Sequence, residues 1–207
     1  MRPRRQFLSL MLGTAPLALG LSACTSPDPN YYQIGPLPGV TLAGGPPSVE
    51  VRSVSIPGYL DRDGIVKGAQ DYKLDIHTND IWAEALSDML QSVMVQDLAT
   101  RLTGSTVIGA GGSIGANADI LVEIDVLRFD PNATGQIVLQ MQVGLRDGQS
   151  MNLLATRTIQ HQAPSGGPVV ATIVGTMSQL WAEAANDVAA FLVQTWATHP
   201  LAVSAGG

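Results

Sequence analysis

The chain has 207 residues, of which 45% are hydrophobic and 14% are charged, and its formal net charge at pH 7 is −6. An acidic chain repels nucleic-acid phosphates, so no nucleic-acid partner is expected. The length and the apolar fraction suffice for one domain with a substantial core, and no internal repeat is visible.

The N-terminus has the pattern of a bacterial export signal. Three arginines precede an apolar stretch at residues 7–21, and no acidic residue comes before Cys24. The apolar stretch is too short, and too interrupted by glycine and proline, to span a bilayer as a stable helix. We therefore expect residues 1–23 to be removed on export. Arg4-Arg5 fits the twin-arginine motif as well as an ordinary basic region, which leaves both export routes open.

Cys24 is the only cysteine in the chain. The sequence Leu-Ser-Ala-Cys that ends at this residue resembles the bacterial lipobox, in which a peptidase cuts before the cysteine and the thiol receives a diacylglycerol. Because a lone thiol in an exported protein cannot form an internal disulfide, lipidation is the best explanation for it. The alternative is an ordinary signal with a chance cysteine at its end. Thr25, where aspartate would favour the inner membrane, favours the periplasmic face of the outer membrane.

Cleavage of the signal makes the chain more acidic. Residues 1–23 contain three of the eleven basic residues and none of the seventeen acidic ones, so the mature chain carries a net charge of −9. Membrane attachment should therefore depend on the acyl chains of Cys24 and not on anionic lipid headgroups. We expect a lipidated tether at residues 24–29, one domain at residues 30–198 and a disordered tail at residues 199–207.

The first half of the domain contains several short segments in which polar and apolar residues alternate. They predict strands at residues 30–34, 48–56 and 71–76, and a further short strand after a turn at Asp63-Gly64. The Gly/Pro-rich residues 35–47 predict a loop.

A helix is expected next. Asn79 or Asp80 is the predicted N-cap, and Gly104 is the predicted end. Between them an apolar stripe recurs at steps of four residues, with one more apolar residue a turn earlier; its members are Trp82, Leu86, Leu90, Met94, Leu98 and Leu102.

The second half begins with a short strand at residues 106–108 and continues with three longer alternating segments at residues 118–130, 136–148 and 152–162. Turn residues at 132–135 and 147–148 predict hairpins between them. Apolar residues at spacings of three and four then predict a long amphipathic helix from about Pro168 to Thr195. The pattern indicates an α+β fold, with an antiparallel or mixed β-sheet packed against two long amphipathic helices in a single domain.

The stretch TVIGAGGSIGA at residues 106–116 resembles a dinucleotide-binding loop. Such a loop must open a helix whose amino end faces the pyrophosphate. Here the residues after Gly115 alternate as a strand, so we interpret the glycines as a flexible connection and predict no cofactor.

The residues that carry chemistry are dispersed. The three histidines, His77, His161 and His199, lie in separate segments. Asp75, His77 and Asp80 can be drawn as metal ligands, but a solvated turn followed by a helix cap explains them more simply. No Gly-x-Ser-x-Gly motif and no second cysteine supplies a nucleophile. We therefore predict no catalytic residue, no metal site and no enzymatic activity.

Tyr59, Leu60, Asp61 and Arg62 are the candidate partner-binding residues. They follow a Pro-Gly stop, which places two large apolar side chains and a charged pair on a surface loop. Binding residues are commonly held in this way on a rigid scaffold. In the alternative, Tyr59 and Leu60 pack beneath the loop as part of the core.

Four short motifs, in order along nearly the whole mature chain, resemble the ABC-type transport auxiliary lipoproteins. They are Tyr31-Tyr32-Gln33, VSIPGYLDRDGIV at residues 54–66, NDIWAEAL at residues 79–86 and LWAEAA at residues 180–185. The short Gly/Ala-rich end of this chain departs from the family pattern.

The resemblance implies a periplasmic lipoprotein subunit of a transport system built around an MCE-type protein. Such a system moves lipids or other hydrophobic molecules between the inner and outer membranes. The implied partners are an MCE-domain periplasmic protein, its membrane permease and membrane lipid through acylated Cys24, and a homo-oligomeric ring is a further implied form. A structural or assembly lipoprotein of the envelope, with no MCE partner, is the alternative.

Overall fold

The computed structural model describes residues 28–70, 73–112 and 117–198. The predicted export signal at residues 1–23, Cys24 and the predicted tail at residues 199–207 lie outside these ranges. None of the helices within them has the length and hydropathy that crossing a bilayer would require.

Ten elements make up the described chain. In order they are β1 (Asn30–Tyr32), β2 (Ser48–Ser55), β3 (Gly64–Gln70), β4 (Lys73–Trp82), α1 (Leu86–Arg101), β5 (Thr106–Gly109), β6 (Ile120–Pro131), β7 (Gln136–Asp147), β8 (Leu153–Pro164) and α2 (Val170–Thr198). The predicted α+β class with mixed pairing and two helices is confirmed, although the strands divide between two sheets.

The larger sheet has five strands in the order β5-β2-β6-β7-β8. Strand β2 runs parallel to both β5 and β6, whereas β6, β7 and β8 form an antiparallel meander. Alternate residues of β6 and β7 are buried, as the period of two predicts. The turn after β7 is tightly packed, because a Cβ atom on Gly148 would lie only 1.7 Å from the carbonyl oxygen of Ala118.

The smaller sheet has the order β1-β4-β3. Strands β3 and β4 form an antiparallel hairpin, and β1 lies parallel to the end of β4, where Asn30 is opposite Asp80 and Tyr32 is opposite Trp82. The N-terminal end of the domain is therefore held in a sheet.

The predicted helix cap at Asn79 or Asp80 is wrong. Strand β4 continues to Trp82, and α1 begins at Leu86 after Ala85, which makes no side-chain capping bond. Pairing with β1 extends the strand through residues 80–82 and outweighs the local capping preference. Trp82 consequently enters the core from a strand. The helix also ends earlier than predicted, at Arg101, while Gly104 adopts a positive φ of 89°.

Both helices lie on the same face of the five-stranded sheet. Helix α1 packs on β2 and β5, α2 packs on β7 and β8, and the helices contact each other. Trp181 of α2 is fully buried and stacks on Phe129 of β6, with ring centroids 5.9 Å apart. One continuous core forms between the sheet and the helix layer, as the single-domain prediction requires.

Candidate functional site

The four predicted binding residues lie in the loop between β2 and β3 and form two pairs that differ in solvent exposure. Leu60 is only 3% exposed and belongs to the core, and its amide donates to the carbonyl of Pro57 at 2.8 Å. Tyr59 is half-buried and packs against the core. Asp61 and Arg62 are exposed. The packing alternative thus describes Leu60 and, in part, Tyr59, and the charged pair is the part of the loop that a partner can reach.

Tyr59 fixes the loop to the larger sheet. Its hydroxyl donates to Oδ1 of Asp130 at 2.7 Å, and Arg128 donates to both oxygens of the same carboxylate at 3.2 Å. Asp130 is 2% exposed, so these bonds satisfy a carboxylate that water does not reach. Burial, and then the bond to Asp130, raise the pKa of the Tyr59 hydroxyl well above its usual value. The phenol therefore remains a donor at any physiological pH, and the charged pair projects from a fixed base.

The loop shares a corner of the molecule with the first strand. The carbonyl of Asp63 accepts the amide of Trp82 at 2.8 Å, and the carbonyl of Tyr32 accepts the amide of Ala83 at 2.9 Å. We call the assembly of residues 30–32, 61–63 and 80–84 the entry corner, because the described chain begins there, at residues 28–30. Tyr31, which is 67% exposed, is the largest apolar side chain on this surface.

Asp80 holds the entry corner together. Its Oδ1 accepts the Asn30 side-chain amide at 2.9 Å, and its Oδ2 contacts Nδ1 of His77. The bond from Asn30, together with His77 and the Tyr32 hydroxyl, lowers the pKa of Asp80. Burial, and then the negative charge of Asp80, raise the pKa of Tyr32. The carboxylate is therefore ionised and ties β1 to β4.

Of the three residues that can be drawn as metal ligands, the structure brings His77 and Asp80 together. Asp75 lies farther along β4, opposite Gly68 of β3. Within the described ranges, no three histidine, cysteine, aspartate or glutamate side chains are grouped so that they could hold a metal ion.

The Gly/Pro-rich residues 33–47 follow β1 and form a segment that crosses both helices; we call it the crossing segment. Its amides donate to side chains far away in sequence. Gly35 donates to Oγ of Ser178 at 3.2 Å, Leu37 to Oδ1 of Asp97 at 3.1 Å and Val40 to Oδ1 of Asn186 at 3.2 Å. A segment that the sequence predicts as a loop is thus attached to α1 and α2 by hydrogen bonds.

A buried ion pair lies under the crossing segment. Asp97 and Arg101 are 1% and 0% exposed, and Nη1 of Arg101 lies 3.1 Å from Oδ1 of Asp97. Arg101 also donates to the side chain of Asn186 at 2.7 Å and to the carbonyl of Ala182 at 3.1 Å. Burial raises the pKa of Asp97, although the charge of Arg101 acts in the opposite direction. Gly39 is required above this pair, because a Cβ atom there would lie 2.3 Å from Nε of Arg101.

Sequence reasoning missed this pair, although a signal was present. Asp97 and Arg101 lie seven residues after Leu90 and Met94, and so on the apolar face of the helix. Charged residues four apart on such a face indicate a buried pair.

The glycine-rich stretch connects β5 to β6. Gly111 has a positive φ of 80°, and residues 113–116 lie outside the described chain. The next element of the described chain is strand β6, as the alternation predicts.

Comparison with known proteins identifies the family of this chain. The model of the family described as the ABC-type transport auxiliary lipoprotein component matches residues 32–189. The chain belongs to this family. The match covers nearly all of the described domain and confirms the family that the four motifs indicate. It is a family of transport components and not of enzymes.

The relatives include the intermembrane transport lipoprotein PqiC of Escherichia coli K12. It is 32% identical over 130 residues, which are 59% of this chain and 66% of that protein, slightly less than two thirds of its length. A crystal structure of a protein from Xanthomonas campestris has a TM-score of 0.69 at 17% identity and covers 83% of this chain and 99% of that one. Another crystal structure has a TM-score of 0.65 at 22% identity, with 80% and 99% covered. These two structures support the fold alone.

Proposed function

We propose that this protein is a lipid-anchored auxiliary subunit of an MCE-type ABC transport system, which moves lipids or other hydrophobic molecules between the inner and outer membranes. The observation that carries the proposal is the family match across residues 32–189, in a chain whose sequence up to Cys24 resembles a lipobox. PqiC, named as an intermembrane transport lipoprotein, supports the same role. In this proposal acylated Cys24 holds the domain on the periplasmic face of the outer membrane.

The entry corner is the proposed docking site for the MCE-domain protein. Asp61 and Arg62 are exposed there, while Leu60 and the bond between Tyr59 and Asp130 hold their backbone in place. A rigid base lowers the entropy cost of ordering a binding loop. Because exposed charges at an interface affect specificity and association rate more than affinity, Asp61 and Arg62 would mainly determine which partner binds.

The proposal includes a homo-oligomeric ring. Strand β8 has twelve residues and forms one margin of the larger sheet, so among the described strands its outer edge pairs with none. An unpaired edge of this length can add a strand from another copy. The mass of the detergent-solubilised protein, measured by light scattering, tests this part: a multiple of the protomer mass is expected, and a monomer at micromolar concentration contradicts it.

Co-purification tests the function itself. The native protein is isolated from detergent-solubilised envelopes, and its partners are identified by mass spectrometry. We expect an MCE-domain protein and its permease in amounts comparable with the bait. A matched control uses Asp61→Arg combined with Arg62→Glu, which keeps the net charge unchanged. Recovery of envelope proteins without any MCE-domain protein would contradict the proposal and favour a structural lipoprotein.

A further inference from the structure

A cleft opens at the end of the smaller sheet that lies away from β1. The β3–β4 hairpin forms one wall, and the β6–β7 turn with the segment leading into α2 forms the other. Its volume is ≈ 600 Å³, which lies within the range of sites for small organic ligands. Five to seven residues of β4 separate the lining residues at 73–75 from Asp80, roughly 17–23 Å at the rise of an extended strand. The cleft therefore lies at the end of the smaller sheet opposite β1, the first strand of the described chain.

Both lysines of the chain line this cleft. The 207 residues include only Lys67 and Lys73, the first on β3 and the second on β4. No ion pair to either ammonium group is formed within the part of the chain that the structure describes. Asp75 supplies the single carboxylate among the described lining residues. Two lysines against one aspartate among the described lining residues favour an anionic ligand.

The other surfaces of the cleft suit a ligand that is partly apolar. Leu74, Pro131 and Ala133 contribute hydrocarbon, and the Ser165 hydroxyl adds a polar group. There is room for a ligand at the rim, because no atom lies within 4 Å of the position that a Cβ atom would take on Gly135 or Gly167. Ammonium groups beside an apolar wall match a molecule that joins an anionic group to a hydrocarbon chain.

We propose that this cleft binds a phosphate ester that carries an apolar group, the chemistry of a phospholipid headgroup with the beginning of its acyl chains. A phosphate offers several acceptor oxygens to two lysines, which bind phosphate as point charges. The inference deepens the proposed transport role, on which it rests for the source of the lipid.

Calorimetry with small phosphates tests the site. The full-length lipoprotein, in nanodiscs of neutral phosphatidylcholine, is titrated with hexyl phosphate, inorganic phosphate and a triglutamate peptide, and the heat from empty nanodiscs is subtracted. We expect saturable binding of hexyl phosphate, at least about tenfold tighter than that of inorganic phosphate, because the hexyl chain removes apolar surface from water. Raised salt should weaken both.

Two sets of variants localise the binding. Lys67→Gln with Lys73→Gln should weaken hexyl phosphate binding by about tenfold or more, since each lysine contributes a charge-assisted contact. Ala133→Glu, an exposed turn position, should weaken it while both lysines remain. The matched control Arg52→Gln with Arg157→Gln removes the same charge outside both the cleft and the entry corner, and should change affinity by less than about twofold. Unchanged melting temperatures show that the variants are folded.

Four results would overturn the proposal: no saturable binding of hexyl phosphate, parental affinity in the double lysine variant, equal affinity for inorganic and hexyl phosphate, or tighter binding of triglutamate in this cleft. The third would leave a site for phosphate alone, and the fourth would indicate a protein partner. Co-purification of the MCE-domain protein is measured separately. If that partner is recovered and hexyl phosphate does not bind, this inference fails and the proposed function stands. If hexyl phosphate binds and no MCE-domain protein is recovered, the proposed function fails and the binding site stands.

Discussion

Two carboxylates hold the N-terminal part of the domain, and their environments differ. Asp80 ties β1 to β4 in the entry corner, where donors from Asn30, His77 and Tyr32 lower its pKa. Asp97 accepts the amide of Leu37 from the crossing segment, but its burial raises its pKa. The ionised Asp80 is stabilised by its surroundings, whereas the ionised Asp97 depends on Arg101. Both aspartates thus bind an N-terminal segment, but the folded environment favours the ionised form of Asp80 and disfavours that of Asp97.

The buried pair should give the largest effect. Arg101→Met leaves the carboxylate of Asp97 without its counter-charge, so we expect a loss of about 3–5 kcal/mol in the free energy of unfolding, measured in urea. Arg62→Met is the matched control at an exposed position and should change stability by less than about 0.5 kcal/mol. A loss below about 1 kcal/mol in Arg101→Met would show that the pair does not hold the crossing segment.

The next effect concerns the base of the binding loop. Leu60→Ala removes a side chain that is 3% exposed, and we expect a loss of about 2–5 kcal/mol by the same measurement. If the variant unfolds like the parent, Leu60 is not packed as the structure has it, and the loop has no rigid base.

Asp80→Asn tests the carboxylate whose ionised form the folded state stabilises. It keeps the size of the side chain and removes its charge, so a loss of about 1 kcal/mol is expected at pH 7. Because the pKa of Asp80 is lowered on folding, its contribution is present above the unfolded carboxyl pKa and is lost as the pH falls through the folded value. The parent and Asp80→Asn should therefore converge in stability at acid pH. A difference that stays constant with pH would contradict this.

Asp97 should show the reverse dependence. Its pKa is raised on folding, so the folded state binds the proton of this carboxyl more tightly than the unfolded chain does. The stability that this preference adds at low pH is lost as the pH rises from the unfolded pKa to the folded pKa. In Asp97→Asn the slope of stability against pH should become more positive over the acid range. If the free energy of unfolding, measured in denaturant, has the same dependence on pH in the parent and in Asp97→Asn, Asp97 does not titrate in this way.

The smallest effect on stability falls at the exposed pair. Asp61→Arg should alter the free energy of unfolding by less than about 0.5 kcal/mol and should weaken pull-down of the MCE-domain partner. If the Asp61→Arg, Arg62→Glu double variant assembles and complements like the parent, the loop is not a binding site.

The parts predicted well from sequence are those whose pattern is local. Strands β6, β7 and β8 and helix α2 follow from periods of two and of three to four, because each buries one face against the same core. The end of β4 was missed, since its pairing with β1 joins residues fifty positions apart. The crossing segment has no periodicity that predicts its position, because its amides donate to helix side chains as far as 146 positions away. In the loop, the apolar character of Tyr59 and Leu60 was visible, but only the tertiary contact with Asp130 shows which side chains face inward.

The most direct test of the proposed role compares the parent with Cys24→Ala in a density gradient of the cell envelope. With its acyl chains, the parent should be found in the outer-membrane fractions and incorporate labelled palmitate. Without them, an acidic domain has little affinity for membranes, so the variant should be uncleaved or soluble in the periplasm. Recovery of Cys24→Ala with the outer membrane at the level of the parent would contradict the account.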